Sequence, residues 1–81
     1  MAKPSPSFKG NKELSQLGKA IRALRINAGY SQEGFADTAG LDRSYLGGIE
    51  RGEHNLAVIN ILKISKALKI KTSELFKLAG L

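Results

Sequence analysis

Asp42, Arg43, Ser44 and Tyr45 are the consecutive side chains in this sequence best equipped for chemistry. If Asp42 caps a helix, Arg43 is the first residue of that helix and projects off its leading end. A guanidinium so placed can give two hydrogen bonds to O6 and N7 of a guanine. The hydroxyl of Ser44 can meet a base or a phosphate, and it is equally an ordinary first-turn serine. The phenol of Tyr45 can bond a phosphate while its ring packs on a nucleic-acid backbone, or the ring can sit half-buried between helices. Further back, Ser31 offers a cap for a helix opened by Gln32. Exposed N–H groups and the helix dipole at such a start suit a phosphate, and the Gln32 amide adds a donor. Catalytic chemistry finds no comparable set. The chain has one histidine, His54, no cysteine, and no glycine-rich loop leading from a strand into a helix. We therefore expect no enzyme, no metal site and no cofactor.

These side chains need helices to hold them. Leu14, Leu17, Ile21, Leu24 and Ala28 recur at three- and four-residue steps, which predicts a first helix over residues 12–28. Gly29 follows where a left-handed residue is expected. A second helix is expected from Gln32 to Ala39, with Phe35, Ala36 and Ala39 inward and Gly40 ending it. A third, from Arg43 to Arg51, buries Leu46 and Ile49. A fourth, from Val58 to Leu68, places Val58, Ile61, Leu62, Ser65 and Leu68 on one face. A short fifth runs from Ser73 to Ala79. No segment alternates apolar and polar residues as a strand would, so the fold class is all-α. With 81 residues there is room for one domain,. Residues 1–10 hold both prolines and read as a disordered basic arm, leaving residues 11–81 as the domain,.

The net charge of +6 and pI of about 9.9 suit a polyanionic partner,. The distribution weakens that argument. Residues 31–55 carry a net −3, with Arg43 and Arg51 set against Glu33, Asp37, Asp42, Glu50 and Glu53. Basic residues gather instead at the flanks, including Lys63, Lys66, Lys69 and Lys71, which read as a solvated face. No apolar run approaches the roughly 20 residues that span a bilayer, so no membrane partner is expected and the compartment is expected to be cytoplasmic.

Spacing is more specific than charge in this chain. Two helices of about two turns each, joined by Gly40-Leu41-Asp42, form the helix-turn-helix signature. The pattern Gln32-x3-Ala36-x3-Gly40-x5-Leu46-x2-Ile49-Glu50 carries it. Over residues 14–78 the chain resembles the Cro/cI-type (XRE) helix-turn-helix family, and LDRSYLGGIERGEHN is especially similar to the controller proteins of restriction–modification systems. The resemblance implies a compact five-helix lambda-repressor-like domain and a homodimer on double-stranded DNA. It also implies a third helix in the major groove, with no small-molecule ligand. It adds Arg51 and Asn55, after that helix, as phosphate contacts, and favours Gly48 as a point of close approach to DNA. His54 is expected as a solvent-facing loop residue. The resemblance also suggests that Glu50 pairs with Arg22 of the first helix. Ala57, Lys69 and Lys71 stand where relatives place capping or turn residues, each at a cost of about 1 kcal/mol or less.

Ile59, Leu75, Leu78 and Leu81 are apolar beyond what one core face needs and are expected to form the dimer interface. Within the fifth helix Leu75 and Phe76 also read as the core-facing pair, which leaves Leu78 and Leu81 as its outer edge. Altogether the sequence points to a sequence-specific transcription regulator acting on a two-fold-symmetric operator. The alternative is an antitoxin-type protein-binding module that also regulates its own gene.

Overall fold

The computed structural model describes residues 10–81, so the arm expected at the N-terminus lies, apart from Gly10, outside the described residues. Five helices follow: α1 (Lys12–Asn27), α2 (Gln32–Ala39), α3 (Arg43–Glu50), α4 (Val58–Leu68) and α5 (Thr72–Leu78). No strand occurs among the described residues. Ala28, Arg51 and Ala79 serve as C-caps rather than helical residues, and α5 begins at Thr72 because Lys71 is its extended N-cap.

Local chemistry accounts for most boundaries. The side chains of Asn11 and Ser31 accept hydrogen bonds from the backbone N–H groups of Leu14 and Gly34, satisfying donors that a helix start leaves orphaned,. Gly40 ends α2 in the left-handed conformation at φ 73°, which turns the chain toward α3 without a Cβ clash,. Neither Ala57 nor Lys71 makes a side-chain capping bond, and Lys69 occupies the left-handed region at φ 60°, the only non-glycine residue to do so among those described.

The core draws on every helix. Leu17 and Ile21 of α1 meet Phe35, Ala36 and Ala39 of α2, Leu46 and Ile49 of α3, Ile64 of α4 and Leu75 of α5. The two helices of the turn motif pack on each other, while α1 packs on α3 and α5, and α4 on α2 and α5. Gly18 lets α1 close on the end of α3: a Cβ there would lie 2.6 Å from the carbonyl oxygen of Glu50 and would also strike that of Ile49.

Two expectations fail here. The buried positions of α4 are Ile64 and Ser65, with Ile61 and Leu68 half-buried, whereas Val58 and Leu62 are exposed. The helix is apolar over so much of its circumference that two adjacent stripes could face inward, and packing on α2 and α5 selects the one centred on Ile64. Leu75 is fully buried and drops out of the expected dimer surface.

The ion pair also differs. Glu50 pairs with Arg25, not Arg22. Arg25 Nε donates to Glu50 Oε2 at 2.7 Å and Nη2 to Oε1 at 3.1 Å, while Nη1 donates to the carbonyl oxygen of Tyr30 at 2.9 Å. Arg25 lies four residues after Ile21 and shares its inward face, whereas Arg22 points to solvent,. Both charged side chains are almost wholly buried. Replacing Glu50 with Ala should thus destabilise the domain by about 3–5 kcal/mol, because it strands a buried guanidinium. Urea unfolding of E50A and of the apolar double replacement R25M/E50L checks this, with the double variant expected to recover most of the loss.

Candidate nucleic-acid interface

The leading end of α3 is fixed by Asp42. Its carboxylate accepts from the backbone N–H of Ser44 at 3.1 Å and of Tyr45 at 3.3 Å, and from the Ser44 hydroxyl. The Ser44 hydroxyl bond, then that of the Tyr45 N–H, holds the Asp42 carboxyl below its ordinary pKa. Asp42 and Ser44 are therefore bonded to each other, and what Asp42 does in this structure is hold the helix start. Arg43 stands exposed beside them. It forms no ion pair among the described residues.

Tyr45 is half-buried and bridges two elements. Its hydroxyl oxygen accepts from Asn60 Nδ2 of α4 at 3.0 Å, and its ring lies 5.0 Å from that of His54. Its own hydroxyl proton remains available to a ligand. Gln32 is drawn into the buried pair, with Nε2 donating to Glu50 Oε1 at 3.1 Å. One amide bond thereby locks the start of α2 to the end of α3 and leaves the Gln32 carbonyl oxygen and second N–H for other partners. Arg51 is exposed and pairs with Glu53 at 3.0 Å, and Asn55 is exposed.

Of the two glycines inside α3, Gly48 is explained by a neighbouring side chain, while Gly47 meets only side-chain ends that can give. Gly47 and Gly48 are both buried. A Cβ on Gly47 would lie 3.2 Å from Arg51 Nη1 and 3.5 Å from Gln32 Oε1. A Cβ on Gly48 would overlap the His54 imidazole at Nε2 and Cδ2. Gly48 is thus covered by the His54 ring, and His54, expected as a solvent-facing loop residue, is a half-exposed loop residue whose ring lies against the helix. Neither this overlap nor the Gln32–Glu50 bond had a signal in the spacing. The pairing of Arg25 did have one, in its four-residue step from Ile21.

Glu33, Asp37 and Asp42 line a shallow groove of about 450 Å³ between α2 and the start of α3, with Arg43 at its edge. The basic counterpart, about 260 Å³, lies between α2 and α4 and is lined by Tyr30, Thr38, Lys63, Lys66 and Lys69. Among the described residues no group of acidic, histidine or cysteine side chains could hold a metal ion, and no helix is long and apolar enough to cross a membrane.

The depressed carboxyl of Asp42 sets a pH dependence. Its cap contributes fully above the ordinary aspartate value of 3.8 and fades as the pH falls through the lower folded value,. Thermal melts of Asp42→Ala should therefore lie below wild type at neutral pH and converge with it in strong acid.

The profile of a helix-turn-helix family (HTH_3) matches residues 21–75. A hypothetical transcription factor of Neisseria meningitidis is 42% identical over 59 residues, which cover 73% of this chain and 56% of that protein. The control protein C.MunI of a Mycoplasma species is 42% identical over 62 residues, covering 75% of this chain and 84% of its own. Among solved structures, the restriction–modification controller protein C.AhdI of Aeromonas hydrophila superposes with a TM-score of 0.76 at 49% identity, over 78% of this chain and 96% of that one. The chain belongs to the XRE-type helix-turn-helix family of DNA-binding transcription regulators.

Proposed function

We propose that this chain is a sequence-specific regulator of the restriction–modification controller type, acting as a homodimer on a two-fold-symmetric operator. The observation that carries the reading is Arg43: an exposed guanidinium with no ion partner among the described residues, at the capped head of the second helix of the turn motif. Ser44 and the free hydroxyl proton of Tyr45 flank it. The start of α2, held against α3 by Gln32, offers backbone N–H groups to a phosphate,. In this reading Arg43 reads a base, and Gln32, Arg51 and Asn55 meet the backbone.

Dimerisation has support in the apolar surface. Ile59, Leu78 and Leu81 are each about half exposed, and the exposed Val58 and Leu62 of α4 add to them. So much exposed apolar side chain on a domain this small fits an association surface. Two-fold pairing through it would set the recognition helices about 34 Å apart, one turn of DNA.

Two measurements test the proposal. Arg43→Ala should lose about 1–3 kcal/mol of binding to a duplex selected by the wild-type protein and relax one base position, whereas Gln32→Ala should weaken selected and random duplexes alike. Wild-type affinity in Arg43→Ala would remove the recognition role of α3. Replacing Leu78 and Leu81 with Asp should give a folded monomer in sedimentation with much weaker binding to the full site. An unchanged dimer would place the interface elsewhere.

A further inference from the structure

The outward stripe of α3 is incomplete. Ser44 and Gly48 stand four residues apart, one above the other, on the side of the helix away from the buried Leu46 and Ile49,. Gly48 contributes no side chain to it. The space that its Cβ would enter is filled by the His54 imidazole, whose Nε2–Cδ2 edge lies on the helix backbone and whose Nδ1 lies on the opposite edge.

One contact meets this ring, and two more fix the turn that carries it. Tyr45, three residues before Gly48, meets the ring at 5.0 Å between centroids with a 35° tilt. The turn that delivers it is tied back by the backbone N–H of Glu53, which donates to the carbonyl oxygen of Gly48 at 2.9 Å. Gly52, just before, comes so close to α1 that a Cβ would lie 2.7 Å from Cα of Ser15, so the path of the turn is set by packing. His54 is half-exposed, and its ring nitrogens make no hydrogen bond among the described residues.

We infer that His54 is the base-reading side chain of α3 at the level of Gly48, supplied from the following turn rather than from the helix itself. The inference rests on the DNA-binding reading above. An imidazole nitrogen on that stripe can hydrogen-bond a base edge in the major groove, one helical turn beyond Ser44. Gly48 is required because any side chain there would evict the ring, a different reason from close approach of DNA to bare backbone.

This coupling is testable by a double-mutant cycle. A duplex is first selected from a random-sequence pool with the wild-type protein, and its affinity is measured by fluorescence anisotropy beside a random duplex of equal length. H54A and G48A should each weaken binding to the selected duplex about tenfold and leave the random duplex nearly unchanged. The double variant G48A/H54A should bind no more weakly than either single variant, because the second change removes a ring already displaced. Far-UV circular dichroism melts verify that all four proteins are folded at the assay temperature. A double variant about a hundredfold weaker than wild type would show Gly48 and His54 acting independently and would overturn the inference, as would wild-type affinity in H54A. Equal losses on both duplexes would make His54 a phosphate contact and overturn it as well. If the wild-type protein selects no sequence, the DNA-reading proposal itself falls, a result separable from the others.

Discussion

Arg25 and Glu50 face each other across the contact between α1 and α3 with almost no access to water. A lone charge in that position would be strongly destabilising, and the pair is tolerable because its hydrogen-bonding capacity is used. The guanidinium gives two bonds to the carboxylate and a third to the Tyr30 carbonyl, and the carboxylate accepts a further one from Gln32. Geometry must be close to ideal for this to hold. The pair therefore fixes where α1, the turn after it, the start of α2 and the end of α3 stand relative to one another. Among the described residues no buried side-chain nitrogen or oxygen is left without a partner, so the polar interior is complete.

The same arrangement sets the surface. Gly18 brings α1 against the carbonyl groups at the end of α3, and this close approach is what puts Glu50 within reach of Arg25. Arg43, two turns before Glu50 at the other end of α3, forms no ion pair among the described residues. With Gln32 drawn inward by one bond, the head of α2 sits beside the middle of α3, where its amide and Arg51 cover Gly47. The exposed edge that we assign to DNA is thus an outcome of buried electrostatics. Charge follows the same division: acidic side chains line the groove beside the start of α3, while the lysines of α4 lie on the far side of α2.

Much of this was determined by the sequence alone. Capping residues act over two or three positions, so Ser31 and Asp42 mark helix starts wherever the helices finally pack. Gly29 and Gly40 mark ends for an equally local reason. The 3.6-residue period identifies Leu17, Ile21, Phe35, Leu46 and Ile49 as interior, and the glycine-containing turn between two short helices identifies the motif and through it the family.

Only the tertiary structure decided the rest, because the deciding forces act between elements far apart in the chain. On α4 the apolar residues cover too wide an arc for period alone to choose a face, and contact with α2 and α5 turns Ile64 inward instead of Val58 and Leu62. In the sequence Leu75 reads both as core-facing and as part of the dimer surface, and packing of α5 on α1 and α4 leaves only the first. Arg22 and Arg25 are equal candidates by charge, but only Arg25 lies on the face turned to Glu50, 25 residues away. Gly48 looks like exposed backbone until the turn carrying His54 folds over it, since a side chain six residues later has no fixed place on a helix that ends between them.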